Sequence, residues 1–268
     1  MSTYEHLNFN EIPRGRDYKP ALTIYSVNSK GQSGRFSGNK TGREHHFLSL
    51  NEQNYFLIAE FSNSVADIRE QFPLNIDKTH LIAKKLGLKH PAYPKAQQPM
   101  TTDFCITKRI NGITTDIIRT IKPATDLLDR RTIEKFEIER IYWDEEGIDW
   151  GIVTDLEINK TMAKNIKTFR GAYDLSGFSE LRELGESVLI VYKRELAKLL
   201  ISENNATRDI IHKFATEYHL RPASGITLFH HLLATKVLRC DLSHEMELNK
   251  CNKLSYGHEE MDRLLRAE

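Results

Sequence analysis

The chain has 268 residues, about twice the length of a common domain, so two domains with separate cores are expected. Hydrophobic residues make up 40% and charged residues 28%, the balance of a globular protein in water, and no apolar run approaches the ~18 residues of a membrane span. A net charge of +1 excludes gripping nucleic acid by bulk charge, so any such contact must rest on local patches. The amino terminus has no apolar signal-peptide region, and three cysteines, an odd number, fit a reducing cytoplasm better than a disulfide framework.

The first element is a predicted strand, ALTIYSV at 21–27. The run SKGQSGRFSGNKTGREHHF follows, with turn residues that read as a hairpin. In it Lys30, Arg35, Lys40 and Arg43 face only Glu44, which makes this hairpin the candidate arm for gripping DNA phosphates. LNEQNYFLIAEF (50–61) has helical length with Ser49 as its N-cap, VADIREQFPL (65–74) is extended, and DKTHLIAKKLGL (77–88) is a short helix ending near Gly87. After a proline-spaced loop come two strands within 102–125, turning at the Asn-Gly pair 111–112. A helix at 130–147 stopping at Gly147, a strand at 148–155 and a helix at 158–171 complete an α/β core, a mixed sheet flanked by helices.

Beyond residue 171 strand signals nearly vanish. Three helices, at 179–202, 206–220 and 223–238, precede a short hairpin predicted in RCDLSHEMELN, an order that suggests a winged-helix-like, mainly helical domain over 172–268. There is no internal repeat.

The chemistry gathers around the central hairpin. Lys122 precedes Pro123, which keeps it extended and stops ladder pairing, so the lysine closes a strand. Asp103 heads the neighbouring strand, at the same end of the sheet. Glu52 falls in one helical arc with Tyr55, Phe56 and Ala59, although Ser49 and Glu52 also match a capping box. A helical glutamate, a strand-end aspartate and a nearby lysine are what metal-assisted phosphodiester cleavage requires. Mg²⁺ takes one or two carboxylates and completes its shell with water or phosphate oxygens, and an ammonium offsets charge growing on phosphorus.

With these residues placed, the chain resembles the restriction-endonuclease fold with its PD-(D/E)xK signature. Over roughly 18–170 the stretches REHHFLSLNEQNYFLIAEFSNSVADIREQFPL, KHP, MTTDF, IKPATDLLDRRTIEKFEIERIYW and TDLEINK are similar to the TnsA family, the endonuclease subunits of heteromeric bacterial transposases. The resemblance implies a restriction-endonuclease-like catalytic domain over 1–171, with Glu52, Asp103 and the backbone carbonyl of Ile121 as metal ligands and Lys122 as the catalytic lysine. It implies Mg²⁺ as cofactor, with Mn²⁺ able to substitute, and a supporting role for Glu139. Thr120 stands where the general signature has an acid. The partners implied are transposon-end DNA, a DDE-type (TnsB-like) transposase subunit that cuts the 3′ ends while this subunit cuts the 5′ strand, and a TnsC-like ATPase regulator. No membrane is involved, and the location implied is the bacterial cytoplasm, at the nucleoid when acting. Residues 172–268 are expected to recruit partners and to be available for DNA contact.

Two other readings compete: a non-catalytic DNA-binding or adaptor subunit on a decayed nuclease fold, and an autonomous restriction-type enzyme. Cys240, His244, Cys251 and His258 lack the spacing of common zinc sites. His45 and His46, adjacent on a strand, face opposite sides, and Cys105 is an inert strand cysteine.

Overall fold

A computed structural model describes residues 8–26, 32–91 and 99–257; Val27, Lys30 and His258 lie outside the described residues. The chain divides into two compact units, Met1–Asn159 and Lys160–Glu268. The helix at 158–171 therefore groups with the second unit.

The first unit runs β1 (Gly34–Ser37), β2 (Glu44–Phe47), α1 (Leu50–Phe61), β3 (Val65–Pro73), α2 (Ile76–Lys85), β4 (Thr101–Ile110), β5 (Ile113–Lys122), α3 (Arg130–Glu145) and β6 (Asp149–Thr154). The main sheet has the order β3-β4-β5-β6, antiparallel except for the parallel pair β5–β6, whose crossover is α3. Asn111 and Gly112 turn β4 into β5 with φ of 51° and 78°, the left-handed pair a two-residue hairpin demands. Phe56 of α1 packs with Ile68, Phe104, Ile106 and Ile121 on one sheet face. On the other, Ile138, Tyr142 and Trp143 of α3 pack with Phe72, Leu74, Cys105 and Ile118. A mixed sheet between helical layers fits the restriction-endonuclease-like fold.

The side-chain alternation of β3 and β4 switches towards the end of the sheet that holds the site. Ile68 lies on the α1 face but Phe72, four residues on, lies on the α3 face, where unbroken alternation would not put it. In β4, Phe104 faces α1, while Thr102 hydrogen-bonds Glu139 of α3. The switch falls at Gln71 and Asp103, and Gln71 carries a φ of 47°.

The strand expected at 21–27 is absent among its described residues. Thr23 and Ser26 satisfy each other instead, Thr23 N–H donating to Ser26 Oγ at 2.7 Å and Ser26 N–H to Thr23 O at 3.0 Å, a local turn that competes with sheet pairing. In the second unit the helix expected at 179–202 breaks at Gly185 (φ 77°) into α5 (Ser179–Glu183) and α6 (Glu186–Ser202). Around them stand α4 (Lys160–Phe169), α7 (Thr207–Glu217) and α8 (Pro222–Ala234). The short hairpin expected over 239–249 is instead a two-residue ribbon, β7 (Leu238–Arg239) against β8 (Ser255–Tyr256), with the intervening segment outside it.

The β1–β2 hairpin corrects the reading of one of its basic residues, Arg43. The Arg43 guanidinium forks onto Glu70 of β3 at 2.6 and 2.8 Å and donates to Ile68 O at 2.8 Å, with its side chain only 7% exposed. His45, on the buried side of β2, meets the same carboxylate at 2.7 Å. Against the cost of burial, these partners hold Glu70 down to about 2. Arg43 thus pins the hairpin to the sheet and is not a phosphate-gripping arm. Lys40 donates to the carbonyls of Ser62 and Val65, while Arg35 stays exposed beside Glu44 at 3.1 Å. In urea denaturation Arg43→Ala should cost about 3–5 kcal/mol, since it strips a buried carboxylate of its guanidinium and leaves it only His45 and a backbone amide, and Arg35→Ala no more than ~1 kcal/mol. Equal losses would show that the buried pair is not the anchor.

Candidate active site

The site forms where two strands part. Ladder pairing between β4 and β5 runs from Ile110↔Ile113 to Phe104↔Arg119 and goes no further. One residue past its end the carboxylate of Asp103 takes the place of a strand, Oδ2 accepting from Ile121 N–H at 2.7 Å. On its other edge β5 stays paired with β6 through Lys122↔Thr154. Pro123, with no N–H, ends the strand, and Ala124 N–H is taken up by Asp155 Oδ1 at 2.8 Å.

The first turn of α1 brings Glu52 to the same point. Ser49 caps the helix, its Oγ accepting from Glu52 N–H at 3.1 Å. The expected reciprocal bond to the N-cap amide is replaced: Glu52 Oε2 accepts from Leu48 N–H at 2.9 Å and turns inward, leaving the residue 6% exposed. Gln71 joins the two acids, its Nε2 donating to Glu52 Oε2 and to Asp103 Oδ1 at 3.3 Å each.

Burial, followed by the charge of Asp103, pushes Glu52 up to about 7. Burial also raises Asp103, against the pull of Lys122 and of the Ile121 amide. Lys122 is raised by Asp103 first, and also by Glu52 and Glu139. The three residues singled out in the sequence therefore act on one another electrostatically. Two acids that resist carrying charge together, beside one ammonium, suit a hard cation.

Glu139 is not a solvated helix residue. It lies on the buried stripe of α3 with Phe136 and Trp143 and is 3% exposed. Its Oε1 accepts from the hydroxyls of Thr102 and Thr120 and from Trp150 Nε1 at 3.1 Å. A carboxyl group does stand beside position 120, brought by α3 instead of β5. Helical spacing from Phe136 is a signal that could have found this position, which the family resemblance alone supplied. Gln71, Thr102 and Trp150 had none: their roles depend on pairings between distant stretches.

Among the described residues no cluster of three His, Cys, Asp or Glu side chains forms a metal site. An oxygen set of two carboxylates completed by backbone and water is still what Mg²⁺ uses. Cys105 is buried against Arg69 Nη2 at 3.0 Å and its thiol is pushed up to about 12, so it is no nucleophile. In the second unit His244 pairs with Asp241 at 2.9 Å and Cys251 Sγ donates to Asn204 Oδ1 at 3.2 Å.

Glu139 gives a pH test. Burial raises its carboxyl from the ordinary 4.5 to about 7, so the folded state binds its proton more tightly than the unfolded state. Its favourable contribution is full below pH 4.5 and lost as pH rises to 7. Glu139→Gln keeps an Oε1 acceptor without the titration. Metal-free variant and wild type should match at pH 4.5, with the variant gaining on the order of 1–3 kcal/mol at pH 8. A difference that does not change with pH in paired melting curves would contradict this.

A family model described as TnsA-like endonuclease N terminal matches residues 62–155, which hold Asp103, Thr120, Lys122 and Glu139, and one described as TnsA endonuclease C terminal matches 157–242. The transposon Tn7 transposition protein TnsA of Escherichia coli is 35% identical over 241 residues, spanning 90% of this chain and 85% of that protein. Two family models and this relative show that the chain belongs to the TnsA endonuclease family and is an endonuclease subunit of a transposase.

Proposed function

We propose that the chain hydrolyses the 5′ strand at transposon ends with a divalent cation, Mg²⁺ or Mn²⁺ in its place, held by Glu52, Asp103 and the Ile121 carbonyl. What carries the reading is the convergence of Glu52 and Asp103 on one amide, with Lys122 closing the strand beside them. The Ile121 carbonyl fits because a strand residue aims N–H and C=O at the same edge, and its N–H reaches Asp103. Bound there, the ion would polarise the scissile phosphate and make a water nucleophilic at neutral pH.

The chain's own residues supply the rest. Lys122, kept cationic by Asp103, faces the charge that grows on the phosphate oxygens. Asp103 also fixes the backbone of β5 through Ile121 N–H, so the residue that binds the ion also orients the strand bearing the lysine. Glu139 holds the Thr120 hydroxyl and leaves the ligand set to the other two acids. The family resemblance supports a dependent nuclease working with a DDE-type transposase (TnsB-like) and an ATPase regulator (TnsC-like). Helices α7 and α8 followed by the small β7–β8 ribbon support a winged-helix-like module over 172–268 that docks these partners.

The test combines the chain with its cognate transposase subunit, transposon-end DNA and Mg²⁺. Asp103→Ala and Lys122→Ala should each lower 5′ cleavage at least ~10²-fold while 3′ cleavage by the partner continues. Deleting residues 172–268 should abolish 5′ cleavage in the assembly. Unaffected 5′ cleavage in both point variants would refute the site, and cutting by the wild type without a partner would favour the autonomous enzyme. No 5′ cleavage by the wild type would favour the adaptor.

A further inference from the structure

Gln71 is the least expected member of the site. It adopts φ 47°, a left-handed conformation that side-chain-bearing residues seldom take within strands. The surroundings hold it there: Ala21 N–H donates to Gln71 O at 3.1 Å, and the Tyr18 hydroxyl donates to the preceding carbonyl, Glu70 O, at 2.8 Å. The side-chain alternation of β3 and β4 switches at this residue and at Asp103 opposite it.

The chemistry of the side chain matches that constraint. The two N–H bonds of one amide serve two carboxylates, Glu52 Oε2 and Asp103 Oδ1, each at 3.3 Å. The orientation is decided by its other end, where the Thr101 hydroxyl donates to Gln71 Oε1 at 3.1 Å. Gln71 is only 2% exposed, so water does not compete for these bonds. Asparagine is one methylene shorter, glutamate would add a third acid, and a lysine would compete with the cation as a full charge. A neutral donor of glutamine's length lets two buried carboxylates converge while the site keeps its affinity for a divalent ion.

We propose that Gln71 is a positioning residue that holds Glu52 and Asp103 converged and thereby sets the affinity of the site for its divalent cation. This rests on the metal-site reading above. Outer hydrogen-bond partners of metal ligands commonly contribute 10–100-fold to affinity. Thr101 acts one step further out, by fixing which end of the amide faces the acids.

The experiment titrates metal-free, full-length protein with Mn²⁺, reading free Mn²⁺ by electron paramagnetic resonance, with melting curves in chelator alongside. Gln71→Met, of similar length but without a donor, should bind Mn²⁺ about 10–100-fold more weakly, with the chelated melting temperature little changed. In the reconstituted cleavage reaction its Mn²⁺ requirement should rise by the same factor, with near wild-type rates restored at saturating Mn²⁺. Asp103→Ala should not be restored. Wild-type affinity in Gln71→Met overturns the inference, as does a defect that saturating Mn²⁺ leaves in place. If Gln71→Met does not fold, Thr101→Val decides: Mn²⁺ binding weakened more than about threefold supports the inference, and unchanged binding overturns it. The controls separate the two levels. Failure of the wild type to bind Mn²⁺, or undiminished binding by Asp103→Ala, removes the metal site itself and the inference with it. Loss in Asp103→Ala with none in Gln71→Met removes only the inference.

Discussion

The hydrogen bond from Ile121 N–H to Asp103 Oδ2 is the contact on which the site depends. A sheet normally satisfies each buried backbone donor with the next strand. Here β4 leaves β5 after Phe104, and the orphaned donor is satisfied by a side chain of the departing strand. The exchange opens an edge of β5 without leaving its amide unpaired. It also points a carboxylate at the opened edge, one residue before the strand-closing Lys122.

The same local geometry concentrates charge that the fold alone would avoid. Glu52 and Glu139 are both pushed to about 7 chiefly by burial, and both also by the charge of Asp103. Groups shifted in this way oppose folding at neutral pH, a common mark of functional sites. The contrast with Glu70 is instructive. It is equally buried but held down to about 2 by Arg43 and His45, so it anchors the hairpin and is left no need for a further cation. Full pairing marks the structural acid, and partial pairing marks the acids of the site.

Much of this was legible in the sequence, for identifiable reasons. The Asn-Gly turn, the serine cap at 49 and the glycine stop at 147 are local signals, and each lies where its chemistry says. Glu52 betrays itself by sitting on an apolar helical stripe, and Pro123 fixes Lys122 as a strand end, whereas Glu139 came in only through the family resemblance. What remained hidden depends on partners distant in the chain. Arg43 reads as a surface cation because Glu70 lies 27 residues away, and the strand expected at 21–27 lost to a turn made by its own Thr23 and Ser26. Gln71 has no sequence signal: neither its left-handed backbone nor its two acids can be inferred from its neighbours.

On the proposed reading, the parting of β4 and β5 creates one cation site shared by a helix and two strands. An anomalous-difference map from crystals soaked in Mn²⁺ tests it most directly. A manganese peak is expected between the carboxylates of Glu52 and Asp103, on the side of β5 that carries the Ile121 carbonyl. No peak there, or a dominant peak elsewhere in the chain, would contradict it.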